Sequence, residues 1–589
     1  MTTKHNHFTW MVGGEAGYGI TTMGQMFSRA CTQSGLYAFG YVEYPSLIRG
    51  GHNTAMVRVG SNPVHSHSDK VDMLLALNKE TVDLHVNEMS IGGVIIYDGE
   101  NVILDQASLR ADVLYASVPL GKITKELGAQ ALMRNTVALG ASFGMMKYDF
   151  KYLEKVLADT FGRKGQEVMD YNVKVARTGY DYAIANFGDK VKIGENIQPI
   201  EGASTKIVLS GNEAIAIGAI KAGVKFMAAY PMTPITTVML VIAKYGVKYG
   251  IVMKHSEDEI AAVNMAIGAA HMGVRSMTAT SGGGFALMTE ALGMAGITET
   301  PLVVIEGMRP GPSTGLPTWT DQADLRFVMH ASQGEFPRVL FAPGDVDECY
   351  NMTIKAFDLA EKYQMLCMII TDKYLGESVM TTVPFDHKNY KPDRGQLISR
   401  AEAEKMEDGK YKRFEFTETG VSKRAVPGTP NCVYAVSTDE HNETGDLDEG
   451  AENRNKMVEK RDRKLQTLKK ESLKEIDMLE LHGVADAPLT IVSWGSTKGP
   501  ILEALDLAEE QGKKVNFLQI KCVLPFPTAE VKKVLLGAKK LLMLETNFDS
   551  QMAGVIAQNT GILIQDKLLR YDGRPIHPAQ ILEKICQTI

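Results

Sequence analysis

The residues best suited to chemistry lie in the middle of the sequence. The stretch "AAYPMTPITT", 228–237, closes an apolar run with two prolines and three threonines. That is a stiff backbone carrying close-set hydroxyls at the end of a buried strand, although helix capping alone accounts for one or two of the hydroxyls. Further on, "KHSEDEIAAVNMAIGAAHMG" places Glu257, Asp258 and Glu259 directly before a helix of small residues, where the positive helix end favours carboxylates. An ordinary first-turn charge cluster has the same pattern. "TATSGGGF", Thr278 to Phe285, runs a strand into three glycines and a helix, an arrangement that suits anions. In "EGMRPGPSTGLPTWTDQADL", 306–325, Arg309 stands among prolines and glycines after the apolar strand "LVVIEG". A rigid loop that holds an arginine beyond the carboxyl end of a strand suits bidentate grip on a carboxylate.

Two N-terminal segments add candidates. "GGEAGYG", Gly13 to Gly19, lets a backbone approach a phosphate at a helix start, or lets strand and helix pack closely. "EYPSLIRGGHN", 43–53, crowds Ser46, Arg49 and His52 beside paired glycines. Such a loop either admits a ligand anion or is an exposed turn.

These candidates need strand–turn–helix units to position them, and the chain supplies several. At 589 residues it is long enough for about three domains. The first, 1–185, opens on the strand "HFTWMVGG" and a helix after the glycine turn. Residues 186–204 lack periodicity and read as a linker. The second domain, 205–385, alternates strands and helices in the pattern of a parallel sheet. Residues 386–485 are charged and poor in strand pattern, and "NKMVEKRDRKLQTLKKESLKEIDMLELHG" reads as a solvated helix. A further α/β unit, 486–589, begins at "LTIVSWGSTKGPILEALDLAEE".

Composition limits the function classes. The 63 basic and 70 acidic residues make no cationic field to recruit nucleic acid or an anionic membrane. There is no 18-residue apolar run and no signal-peptide pattern, so a cytoplasmic protein that contacts no membrane is expected. The six cysteines have no metal-ligand spacing, and the "GDG" motif that accompanies Mg²⁺ on thiamine diphosphate is missing. No metal site is expected on this chain.

In this order and spacing, "YPMTP", "EDEIAA", "TSGGGF" and "RPGPSTGLPT" with "DQADL" resemble the α subunit of 2-oxoacid:ferredoxin oxidoreductases. "GGEAGYGI" with "YPSLIRGGHN" is similar to that family's γ domain, and "RFEFTETGVSKRAVPG", "STDEHNETG" and "VLPFP" resemble the rest of a fused γ–α chain. Met232 departs from the isoleucine usual in the first motif and conserves its volume. The resemblance implies an α/β protein of three domains: an N-terminal γ domain, a pyrimidine-type thiamine-diphosphate-binding (transketolase-like) domain and a C-terminal transketolase-C-like domain. It implies a β subunit, in a heterodimer or heterotetramer, that brings thiamine diphosphate, Mg²⁺ and a [4Fe-4S] cluster, with coenzyme A as co-substrate and ferredoxin as electron acceptor.

The resemblance also assigns roles. Glu259 hydrogen-bonds the aminopyrimidine ring, and Thr233 lies near the reactive end of the substrate. Tyr230, Pro231, Thr280, Ser281 and Gly282 line the cofactor. Arg309 holds the 1-carboxylate, and Ser46 reaches the same pocket. The fused chain points to 2-oxoglutarate, converted to succinyl-CoA or formed by reductive carboxylation, with pyruvate and branched-chain 2-oxoacids as alternatives. Arg49, His52 and Lys125 are candidates for the distal carboxylate. A transketolase-like transferase component is the rival reading.

Overall fold

The computed structural model describes residues 7–47, 50–105, 109–192, 197–386, 388–472 and 476–589. They form three sheets and two compact units. The first unit takes in residues to Ser210 together with Glu377–Asp386 and His577–Gln580, and the second takes in the rest.

The sheet of the first unit has eight strands in the order Leu114–Ser117, Met89–Tyr97, Val71–Ala76, His7–Glu15, His52–Gly60, Tyr37–Glu43, Val379–Thr382 and Ile207–Ser210. The apolar run "FTWMV" is buried because it lies centrally, antiparallel to His52–Gly60 and parallel to Val71–Ala76. Helix Ile20–Gln33 covers it, with Phe27 stacked on Trp10 at 4.5 Å between ring centroids. Two expectations change here. The strand Ile207–Ser210, read as the opening of the second domain, pairs with Val379–Thr382 in the sheet of the first unit. The stretch read as a linker begins inside helix Gln166–Phe187, and its Ile197 lies in the core of that unit. Isolated apolar residues carry no periodicity, so their burial was invisible in the sequence.

The second unit holds a seven-stranded sheet in the order Cys522–Leu524, Arg338–Phe341, Leu366–Asp372, Leu302–Met308, Ser276–Ser281, Phe226–Ala229 and Val252–His255. It is parallel except for Cys522–Leu524. Strand Leu302–Met308 is apolar at almost every position, as a strand covered on both faces must be, and all its residues are buried. A five-stranded sheet follows in the order Leu479–His482, Val515–Ile520, Leu489–Trp494, Leu541–Glu545 and Lys567–Leu569. Val492, Trp494 and Leu518 from it share one core with Leu302, Val304 and Leu366.

The charged region is not the solvated connection that its composition suggests. Helix Ala451–Ser472 buries Lys460 and Lys464 completely, and both reach the buried carboxylate of Glu299, at 2.7 and 2.9 Å. Arg413 donates to the Gln364 side chain at 2.7 Å and to the Glu299 carbonyl at 2.9 Å, while Arg424 pairs with buried Glu361 at 2.9 Å. A charge-rich sequence reads as solvated because burying an ion costs free energy. Here each buried cation meets an anion or a carbonyl from the body of the unit.

Candidate functional site

The carboxyl ends of the central strands of the second unit carry the chemistry. "YPMTP" follows strand Phe226–Ala229, and "MRPGPSTG" follows Leu302–Met308. Asn212 holds the first loop by donating to the Pro234 carbonyl oxygen at 2.7 Å. Arg309 joins the two loops, its Nη1 donating to the Thr233 carbonyl oxygen at 2.9 Å. Its buried Nε has no hydrogen-bond partner, and burial pulls its pKa below the usual guanidinium range against the pull of Asp324 and Glu306.

The structure separates the three acids before helix Glu259–His271. Asp258 is the cap, its carboxylate accepting from Ala261 N–H at 2.7 Å. Glu257 is exposed, while Glu259 turns inward and is buried. Glu259 Oε1 is sealed from water and receives no hydrogen bond from the protein. An orphaned carboxylate oxygen costs about 1–3 kcal/mol or more unless a donor meets it, so it marks a place for a ligand N–H.

Two of the three glycines explain themselves at this point, and a Cβ on Gly283 would meet nothing. A Cβ on Gly284 would stand 2.5 Å from Glu259 Oε1 and clash with Thr280 Oγ1. A Cβ on Gly282 would collide with the carboxylate of Asp324. The anions at the start of helix Gly282–Ile297 are therefore the protein's own side chains. Thr280 is fully buried, its hydroxyl 4.0 Å from Met232 Sδ, and the buried Ser281 hydroxyl has no partner. Tyr230 is exposed and packs edge-on to His255, and Pro231 and Thr233 are half-buried.

Behind Arg309 the structure gathers carboxyl groups that the motif reading missed. Burial raises Asp321 to about 7, and Asp324 and Asp372 to about 6 each. Glu306 is driven well above the carboxylate range by burial and by Asp324 beside it. A signal was present in "LVVIEG", where an acid closes an otherwise apolar strand.

The first unit holds the remaining candidates. Ser46 is exposed in the loop between strands Tyr37–Glu43 and His52–Gly60, where Gly50 and Gly51 both have positive φ, 72° and 86°. The paired glycines thus serve the turn. Arg49 lies outside the described residues. His52 is half-buried and its Nε2 is 2.8 Å from His85 Nε2, while His85 Nδ1 is 2.7 Å from Glu88. Burial first, then His85, lowers the pKa of His52, so the ring is neutral at pH 7. Lys125 is in the last turn of helix Leu120–Glu126. Gly13 belongs to a strand, where a Cβ would press on Thr81 at 2.5 Å, so close packing accounts for it. A cleft of about 1320 Å³ opens beside Gly17 and Gly19, lined by Met23, Leu132, Phe161 and Tyr171. Its Lys164 and Lys174 are matched by Glu167 and Asp170, so it offers no net charge to an anion.

Among the described residues no cluster of His, Cys, Asp and Glu could hold a metal ion, and no helix is long and apolar enough to cross a membrane.

Three family models match the chain in succession: pyruvate ferredoxin/flavodoxin oxidoreductase over residues 9–182, the thiamine-diphosphate-binding part of pyruvate flavodoxin/ferredoxin oxidoreductase over 217–460, and pyruvate:ferredoxin oxidoreductase core domain II over 487–581. The class is thus an α/β oxidoreductase subunit that combines these three parts. The 2-oxoacid:ferredoxin oxidoreductase subunit alpha of Saccharolobus solfataricus is 34% identical, with 98% of this chain and 97% of that protein covered. The 2-oxoglutarate oxidoreductase subunit KorA of Mycobacterium tuberculosis is 28% identical over 92% of this chain and 86% of its own length. Among solved structures, the 2-oxoglutarate:ferredoxin oxidoreductase of Magnetococcus marinus, with 2-oxoglutarate, coenzyme A and succinyl-CoA bound, superposes with a TM-score of 0.89 at 31% identity, covering 99% of both chains. The chain belongs to the alpha subunits of the 2-oxoacid:ferredoxin oxidoreductases.

Proposed function

We propose that this alpha subunit acts on 2-oxoglutarate, in a complex whose β subunit carries Mg²⁺ and a [4Fe-4S] cluster and passes electrons to ferredoxin. The observation that carries the reading is the buried, unpartnered Oε1 of Glu259 next to Gly284. The orphaned acceptor, given its room by Gly284, fits an N–H of an aminopyrimidine ring, so the residues present suit thiamine diphosphate. Glu259 would hold that ring, with Tyr230, Pro231, Thr280, Ser281 and Gly282 around it. When bound, the group supplies the electron sink for loss of CO₂ from a 2-oxoacid.

The chain's own residues do the rest. Glu259 Oε1 accepts a hydrogen bond from a ring N–H, and burial keeps water from competing for it. Arg309 is tethered at Nη1 by Thr233 and offers its remaining N–H groups to the 1-carboxylate. Of the candidates for the distal carboxylate, Arg49 is the strongest because its charge is permanent, whereas His52 is neutral and engaged with His85. Lys125 comes second. Support for 2-oxoglutarate over pyruvate or a branched-chain 2-oxoacid comes from the relatives in Mycobacterium tuberculosis and Magnetococcus marinus.

The test is to co-express this chain with its β subunit and measure ferredoxin reduction that depends on coenzyme A and a 2-oxoacid. Catalytic efficiency at least tenfold higher with 2-oxoglutarate than with pyruvate supports the reading, and the reverse order overturns it. Transfer of a two-carbon unit between sugars without electron release would favour the transketolase-like alternative.

A further inference from the structure

The carboxyl groups behind Arg309 have no part in the reaction described so far. Glu306, on strand Leu302–Met308, is fully buried. Neither of its oxygens receives a hydrogen bond from an N–H or hydroxyl group, and its carboxyl instead meets that of Asp324. Two carboxylates have no proton between them and repel, so this pair is bonded only when one member is a neutral acid.

Position decides which one. Asp324 lies against Gly282, the first residue of the helix Gly282–Ile297, where the helix end favours negative charge. Arg309 also acts on Asp324 directly. Glu306 faces Asp324 from the start of helix Leu325–His330 and Asp372 from strand Leu366–Asp372, with Arg309 as the opposing charge. Asp372 accepts hydrogen bonds from Ser496 and from Leu375 N–H, and Asp324 is flanked further by Asp321. The proton belongs on Glu306 and the charge on Asp324.

We propose that Glu306, as a neutral acid donating to Asp324, is a positioning residue that fixes Asp324 beside Arg309 and so keeps the guanidinium available to the substrate carboxylate. Loss of the proton would put a second negative charge beside Arg309, where it competes with the anionic substrate. The inference rests on the reading of Arg309 as the carboxylate grip.

The test uses the complex with the β subunit and compares wild type, Glu306→Gln, Glu306→Leu and Arg309→Lys, with KM and kcat for the 2-oxoacid followed across pH. Glu306→Leu removes the donor and should raise KM about tenfold while changing kcat much less. Glu306→Gln keeps a donor and cannot ionise. It should recover most of that KM and lack the rise in KM expected of wild type at alkaline pH, and a wild type without that rise overturns the proposal. Equal KM in the Gln and Leu variants, or an alkaline rise that persists in Glu306→Gln, overturns the proposal. When Arg309→Lys raises KM, that failure concerns Glu306 alone; an unchanged KM in Arg309→Lys overturns the Arg309 reading and this proposal with it. Should Glu306→Leu not fold, infrared spectra decide: a protonated-carboxyl band in wild type that is lost in Glu306→Gln supports the assignment, and its absence from wild type overturns it.

Discussion

Arg309 is bound to the loop it faces, its Nη1 donating to the carbonyl oxygen of Thr233 at 2.9 Å. The tether fixes the plane of the guanidinium, so the remaining donors point as a fork and not as a mobile charge. Arg309→Lys keeps the charge and loses the fork. KM should rise for every 2-oxoacid, with kcat/KM falling roughly ten- to a hundredfold, while affinity for thiamine diphosphate barely changes. Steady-state kinetics with two 2-oxoacids and a cofactor titration check this, and unchanged efficiency would refute the role.

Glu259 is the acid with a sealed, unpartnered oxygen, and Gly284 is the residue that makes room for it. Glu259→Gln should lower turnover by about 10²–10⁴ and leave β-subunit association intact. Gly284→Ala should also cut turnover at least tenfold, although alanine is the better helix former by about 1 kcal/mol. Turnover assays alongside gel filtration test both. A fully active Gly284→Ala variant would show that Glu259 does not need that space.

Glu299 answers for two buried lysines and sits beside Arg413. Burial raises its pKa, but the charges of Lys460, Lys464 and Arg413 outweigh burial and hold it well below the carboxylate range, while burial lowers Lys464 to about 8. Glu299→Gln strands these cations and should destabilise the second unit by about 3–5 kcal/mol. A depressed folded-state pKa means that the stabilisation is complete above the unfolded value and is lost as pH falls through the folded one. The stability gap between wild type and Glu299→Gln should therefore begin to narrow below about pH 4. Urea unfolding at neutral and acid pH measures it, and a gap independent of pH would contradict the ion-pair account.

Arg49 and His52 stand close together in "SLIRGGHN" yet differ in what they can offer an anion. His52 is neutral at pH 7 and shares its Nε2 with His85. Arg49→Ala should reduce the preference for 2-oxoglutarate over pyruvate about tenfold or more, the loss expected for one charge-assisted bond. His52→Ala should change that ratio much less. Efficiency ratios for both substrates provide the check, and a larger change at His52 would reverse the assignment.

Some of this was legible in the sequence because it is local. The apolar strand before Arg309, the glycines before Phe285 and the acids before a small-residue helix each depend on neighbours within a few positions, so strand, turn and helix follow from periodicity and turn chemistry. The sequence set Thr233 and Arg309 each after the end of an apolar strand and Glu259 at a helix start, and an open α/β sheet brings loops beyond its strand ends together.

What the sequence could not decide is which side chains face each other across long separations. Composition makes helix Ala451–Ser472 look solvated, yet Lys460 meets Glu299, 161 residues away. Val379–Thr382 extends the sheet of the first unit from far along the chain. Glu257, Asp258 and Glu259 are equivalent by type and differ only in where the folded backbone points each one: outward, onto the helix cap, and into a sealed site. Glu306 and Asp324 meet only because tertiary packing brings two carboxyl groups together out of water. The sequence by itself determined the elements and the residue types available at their ends. Tertiary structure alone decided burial and pairing, since the cost of a buried charge depends on partners that no local pattern can name.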